Sequence, residues 1–394
     1  MPQDLTPEDQ LCLLLARGQL TPEVRARALE LLNVPLRWAA LLQRAEEHQV
    51  VPLIYRSLRT LEFPGVPSDV RTKLKADFRL NAVRNMLFVS ELTRLLQLLG
   101  EAGIRVLPLK GVALAQSLYG DPAFRFCSDI DILVPASEVL RTRRLLIDGG
   151  YTSPFAEDFF LDNQFHASAD CPLLSQKGGV SYFLELHWTL LQHSSKDAEA
   201  MQDLWTHARP RDFFGAHAFS LTPEWEFLYL AGHAANHRWQ SLKWVADIQD
   251  LCGSAPIDWE CVQEKARKFD LDLVVGSTLA VCSALFGTPT PANFSNPTLP
   301  AGVKLFPNSL DRSEAWDTPL FYPKLLKSPS ERLRWFAEMF FVARQADQMF
   351  FHLPDSLDFL YFLLRPLRLT CKWSWLFLTA GLGRLRQSVH FSKK

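Results

Sequence analysis

Ser128-Asp129-Ile130-Asp131-Ile132-Leu133-Val134 is an apolar run interrupted by two acids two positions apart. A β-strand sends residues i and i+2 to the same face. Asp129 and Asp131 therefore point together, while Ile130 and Ile132 face a core. Two clustered carboxylates repel each other unless a cation sits between them. Hard oxygen ligands suit Mg²⁺, an ion usually shared with a phosphate-bearing substrate. The plain alternative for a lone D-x-D is an edge strand with solvated acids.

Two neighbouring segments bear on that choice. Upstream, Ile104 to Leu109 reads as a short strand and Val112 to Tyr119 as a helix, with Lys110-Gly111 at the junction. A helix N-terminus offers free N–H groups to phosphate; Gly111 permits close backbone approach and Lys110 supplies a point charge. A plain turn is the competing reading. Downstream, Val180 to Leu190 reads as a strand, apolar at Leu184-Glu185-Leu186 except for one acid. Such a glutamate is costly to bury unless paired, protonated or ligating a metal, although a half-exposed strand could point it to solvent.

Alternating strands and helices place a compact α/β unit at roughly 100–200. A loop is expected at 175–179, and a helix at 71–99 capped by Gly100. Helices are expected before this unit, with start signals at Thr6-Pro7 and Thr21-Pro22, and again from 222. Residues 286–320 read as a long loop or linker. The expected division is 1–100 helical, 101–220 catalytic core, 221–290 a helical domain on the cleft, and 291–394 a long loop followed by helices. Residues 356–380 are apolar but broken by Arg365, Pro366, Arg368 and Lys372. They read as a buried helix pair, a peripheral membrane-surface element or a partner surface. Arg141, Arg143 and Arg144 read as a solvent-facing cluster.

The chain has 394 residues, 48% of them hydrophobic, and 42 Lys and Arg against 43 Asp and Glu. That balance argues against a partner such as long double-stranded nucleic acid. Seven scattered cysteines without a C-x-x-C pair fit a reducing compartment, and the polar N-terminus is unlike a secretory signal. A cytoplasmic location is the expectation.

The segments LPLKGVALAQSLYGDPAFRFCSDIDILV (107–134), LELHW (184–188) and HAANHRWQSLKWVADIQDL (233–251) resemble the DNA polymerase β-type nucleotidyltransferase superfamily, in its little-characterised bacterial branch. WAALLQRAEEHQVVPLIYRSL (38–58) and LYFLLRPLRL (360–369) are similar to that branch too. The resemblance implies an α+β fold: a nucleotidyltransferase-fold core with a small mixed sheet, embedded between N-terminal and C-terminal helical regions. It also implies catalysis with Mg²⁺ or Mn²⁺ bound by Asp129, Asp131 and Glu185. The substrate would be an NTP such as ATP, whose nucleoside monophosphate passes to a small-molecule, protein or RNA-end acceptor. Val112 stands where many members carry serine, which leaves Lys110 or Arg125 to contact phosphate. Arg125 also reads as an ordinary surface arginine.

Further candidates for the nucleotide site are Gly111, Ser128, His187, His233 and His237. His187 shares a face with Glu185, and could contact substrate, bond Glu185 or be a buried structural histidine. His233 and His237 lie one helical turn apart with Asp247 following; a metal set, a helical lid over the substrate and a core network are all open. Trp188, Trp239 and Trp244 read as packing groups. A non-catalytic nucleotide- or protein-binding derivative is the rival to an enzyme, and three clustered acids argue against it.

Overall fold

The computed structural model describes residues 5–374, apart from 158–159, 162–164, 166–167, 191–194, 255, 295–297, 300–302, 304–320, 343–346, 348–349, 352 and 373. The architecture is α+β, a small mixed sheet flanked by helical regions.

Four helices open the chain: α1 (Pro7–Leu15), α2 (Pro22–Leu32), α3 (Trp38–Glu47) and α4 (Val51–Thr60). The first two begin alike. Thr6 and Thr21 each accept a hydrogen bond from the backbone N–H three residues on, and a proline and a glutamate follow. A threonine cap, a proline with no N–H to waste and an acid against the helix dipole all favour a start at that point. Thr222-Pro223-Glu224 repeats the device later in the chain.

The helix α5 (Ser68–Glu101) runs 34 residues, about 51 Å at the usual rise. It passes through the expected stop at Gly100. The cap is Gly103, at φ +69: Gly103 N–H donates to Gly100 O and Ile104 N–H to Leu99 O, both at 2.9 Å. That is a Schellman closure, sealed by buried Leu99 against Ile104.

The sheet has the order β1-β2-β4-β3, with β1 (Leu107–Pro108), β2 (Ile130–Leu133), β3 (Asp170–Lys177) and β4 (Val180–His187). β2 runs parallel to β4, and the outer pairs are antiparallel. β1 is shorter than the expected 104–109 because Val106 O is taken by Phe219 of a separate hairpin, β5 (Arg209–Phe213) and β6 (Ala216–Ser220). The loop expected at 175–179 is instead the end of β3 and its turn. Gly178 and Gly179 have φ of +56 and +77, the two left-handed residues that a tight hairpin matching strand twist requires.

Between these strands lie α6 (Gly111–Tyr119), α7 (Val139–Asp148) and α8 (Asp197–His207). After β6 come α9 (Pro223–Asn236), α10 (Leu242–Ser254), α11 (Trp259–Lys268), α12 (Asp272–Phe286) and α13 (Pro329–Phe341). Arg143, expected in solvent, is 3% exposed. It donates to Phe155 O and lies over the Phe160 ring, so its charge is satisfied while its stem packs.

Two cores meet at the sheet. One gathers α1–α4, α6 and α9–α12; the other gathers the C-terminal half of α5, α7 and the opposite face of the sheet. Leu133 belongs to the first core, Ile130 and Ile132 to the second. Alternation therefore turns Asp131 toward the helical side. Of the segment 356–380, residues 361–372 are helical and 375–380 lie outside the described residues. No helix among the described residues is long and apolar enough to cross a membrane.

Candidate functional site

Asp131 of β2 and Glu185 of β4 are register partners on adjacent strands, and His187 lies two residues beyond Glu185. Strand alternation alone puts all three on one face. His187 Nε2 lies 3.2 Å from Asp131 Oδ1 and 3.4 Å from Glu185 Oε2. Lys110 approaches from the N-terminus of α6, its Nζ 2.9 Å from Asp131 Oδ1 and 3.7 Å from Glu185 Oε2. Gly111, at φ +68, makes the turn that lets the helix start there; a side chain would be strained in that conformation. The Asp131 carboxylate is fully covered, whereas 39% of the Glu185 side chain is exposed. Only the second is open to a substrate.

The charges stabilise one another. The hydrogen bond from His187, with the Lys110 charge, outweighs burial and holds Glu185 down at about 2. Burial would depress His187, but Asp131 and Glu185 overcome it and push the imidazolium up to about 10. Burial also opposes the Lys110 charge, and Asp131 more than restores it.

Above these groups is a cavity of about 480 Å³. Lys110, Arg125, Ser128, Asp129, Glu185, His187, His233 and His237 line it. Gly111 sits behind Lys110 and does not. Asp129 precedes β2 and accepts a hydrogen bond from Ser128. The tight carboxylate–imidazole cluster among the described residues is Asp131, Glu185 and His187, so His187 stands in it and Asp129, expected to point with Asp131, does not: it lies before β2 begins, where strand alternation does not hold it, and lines the cavity.

Arg125 is not a surface group. It is 4% exposed, and its Nε lies 3.1 and 3.0 Å from the two Asp247 oxygens. Tyr119 donates to the same carboxylate at 3.0 Å. Asp247 is thus taken from the His233–His237–Asp247 metal set and serves a core network. The two histidines stand instead with Trp244. His237 stacks on its ring at 4.7 Å, and His233 meets it edge-on at 5.3 Å. Burial and then the Lys110 charge push both imidazoles below their ordinary range, leaving them neutral.

Several lining residues had no clear signal in the sequence. Lys243 is buried, with Phe126 O at 3.4 Å and no carboxylate paired to it among the described residues. Burial and then Arg125 bring its ammonium down to about 8. Asp170 is the register partner of His187 and could be found only once β3 was known. Tyr229 presents a buried hydroxyl without a hydrogen-bond partner.

The donor set fits a divalent cation. Asp131 Oδ2 is buried with no hydrogen-bond partner, an arrangement that a buried carboxylate oxygen rarely tolerates. A second carboxylate opens beside it and Asp129 and Asp170 share the cavity, giving mainly hard oxygen donors.

A short mixed sheet carrying paired acids on adjacent strands, beside a glycine-started helix, defines a nucleotidyltransferase-like protein. The chain belongs to the family described as uncharacterised nucleotidyltransferase, whose model matches residues 35–287. Among solved structures it is similar to an antigenic nucleotidyltransferase-like protein from Paracoccidioides brasiliensis. The identity is 15%, over 50% of this chain and 96% of that one, at a TM-score of 0.31. No curated protein matches the chain.

Proposed function

We propose that this protein transfers a nucleoside monophosphate from an NTP to a hydroxyl-bearing acceptor and releases pyrophosphate, using Mg²⁺ or Mn²⁺. The superfamily is that of DNA polymerase β-type nucleotidyltransferases. The observation that carries the reading is the convergence of Asp131 and Glu185, with one Asp131 oxygen buried and unsatisfied.

Asp131 and Glu185, with Asp129 from the cavity wall, would hold the ion. Once bound, it would neutralise charge on the triphosphate oxygens and the leaving group. Lys243, on the cavity wall, meets the polyphosphate, since its ammonium has donors to spare. Arg125 positions the 125–129 segment through Asp247. Glu185, the exposed carboxylate, accepts a hydrogen bond from the acceptor hydroxyl and orients its oxygen toward the α-phosphorus. Glu185 takes the hydroxyl proton as that O–P bond forms and the bond from the α-phosphorus to the bridging oxygen breaks, and pyrophosphate leaves. The flat wall of His237 and Trp244 suits a planar base.

The test is incubation with each α-labelled NTP, Mg²⁺ or Mn²⁺ and cell extract, followed by separation of labelled small molecules, RNA and protein. Label is expected to move from one NTP, and Asp131→Asn should abolish it without altering the circular dichroism spectrum. Undiminished transfer by that variant would exclude the reading.

A further inference from the structure

Lys110 places its charge among the carboxylates that a metal would need. Its ammonium is 2.9 Å from Asp131 Oδ1 and 3.7 Å from Glu185 Oε2, and only 9% of its side chain is exposed. Those two carboxylates are its partners among the described residues. Its position is built in. Residue 110 caps α6 and the next residue turns at φ +68, so the stem descends from the helix start onto β2 and β4. The same side chain lines the cavity above. It can therefore face a carboxylate below or a phosphate above by changing rotamers, and its flexible stem and three donors suit that exchange.

We infer that Lys110 is a tethered counter-ion that keeps a bare divalent cation off Asp131 and Glu185 and yields to a metal–polyphosphate chelate. The inference rests on the nucleotidyl-transfer reading. A bare ion can reach Asp131 Oδ2, the oxygen without a partner, but to gain Oδ1 or Glu185 Oε2 it must displace the ammonium, which has no other anion paired to it among the described residues, a costly state for a covered charge. It also meets Lys110 as a like charge at close range. A chelate brings phosphate oxygens, so the ammonium exchanges one anion for another and Asp131 Oδ1 is released to the ion beside the already unpartnered Oδ2. A cavity of about 480 Å³ has room for such a ligand. The site thus selects the chelate over its separate parts, and metal and nucleotide bind cooperatively.

Mn²⁺ uptake by the full chain, followed through the spin-resonance signal of free Mn²⁺, tests this without turnover. The titration is run alone and with each α,β-methylene NTP analogue. Wild type should bind Mn²⁺ at least about tenfold more tightly with the preferred analogue than without any. Lys110→Met should bind Mn²⁺ alone at least about tenfold more tightly than wild type, and gain less from the analogue. Lys110→Arg, which keeps the charge, should stay weak without nucleotide. Equal wild-type affinity with and without analogue overturns the proposal, and this arm needs no folded variant. Unchanged or weaker nucleotide-free binding in a folded Lys110→Met overturns it as well. Absence of Mn²⁺ uptake under every condition removes the nucleotidyl-transfer reading and the inference with it; the other two outcomes remove Lys110's role alone.

Discussion

One buried carboxylate shows how its surroundings set its charge. Asp250 of α10 accepts one hydrogen bond at 2.8 Å from Gly18 N–H and lies near Asp247. Burial, with the Asp247 charge, raises Asp250 from 3.8 to about 7, against the pull of Gly18 and Arg17. The folded chain keeps that proton where the unfolded chain has lost it. Between those two values the native state therefore binds more protons, and this contribution to stability falls as pH rises. Asp250→Asn cannot ionise, so it should stabilise the protein more at about pH 7.5 than at about pH 5. Urea unfolding of both proteins at the two pH values measures the difference, and an equal offset at both would contradict the assignment.

At the scale of elements, the turn leading into β2 is held by side chains from α5. Asn81 Nδ2 donates to Ala123 O and Arg125 O at 2.9 and 3.1 Å, and Asn85 Nδ2 to Pro122 O and Arg125 O, both at 2.7 Å. These carbonyls sit in a turn that cannot use a sheet ladder, so the amides replace it. Asn85→Ala removes two hydrogen bonds, leaving Arg125 O with Asn81 and Pro122 O with a long bond from Arg125 N–H at 3.5 Å, and should cost about 1–3 kcal/mol. It should also lower nucleotide transfer beyond the fraction unfolded, because Asp129 and Asp131 follow the loosened turn. Denaturant unfolding and label transfer on the same preparation separate the two effects. The clamp was hidden in the sequence because Asn81 and Asn85 look like ordinary helix polars; only their contacts reveal them. By contrast, the shared face of Glu185 and His187 follows from one strand's alternation, whereas Asp131 meets Glu185 only through the β2–β4 register, and Asp129, expected to point with Asp131, lies before β2 begins. β4 was read, but β3 and the β5–β6 hairpin were missed, with Pro172 in the one and Arg209, Pro210 and Arg211 in the other. Gly178-Gly179 was the signal present. Lys243 and Trp244 could not be read, as nothing local distinguishes a cavity-facing residue of α10 from a core-facing one.

For the molecule as a whole, the Arg125–Asp247 pair ties the sheet's approach segment to the helical side. It is 4% and 1% exposed, with Nη2 to Oδ2 at 2.9 Å. Burial alone would disfavour the arginine's charge, and Asp247 secures it. Asp247→Ala strands that guanidinium in a covered site and should lower unfolding free energy by about 3–5 kcal/mol, as read by chemical denaturation. A loss under about 1 kcal/mol would mean that water reaches the arginine. The register of β2 on β4 has one more consequence. The two acids come together across 54 residues of sequence (131 to 185), and Lys243 and Trp244 close the cavity from still further along. During synthesis on the ribosome, then, the first acids emerge long before their partners. The nascent chain cannot close this cavity until α10 has left the exit tunnel.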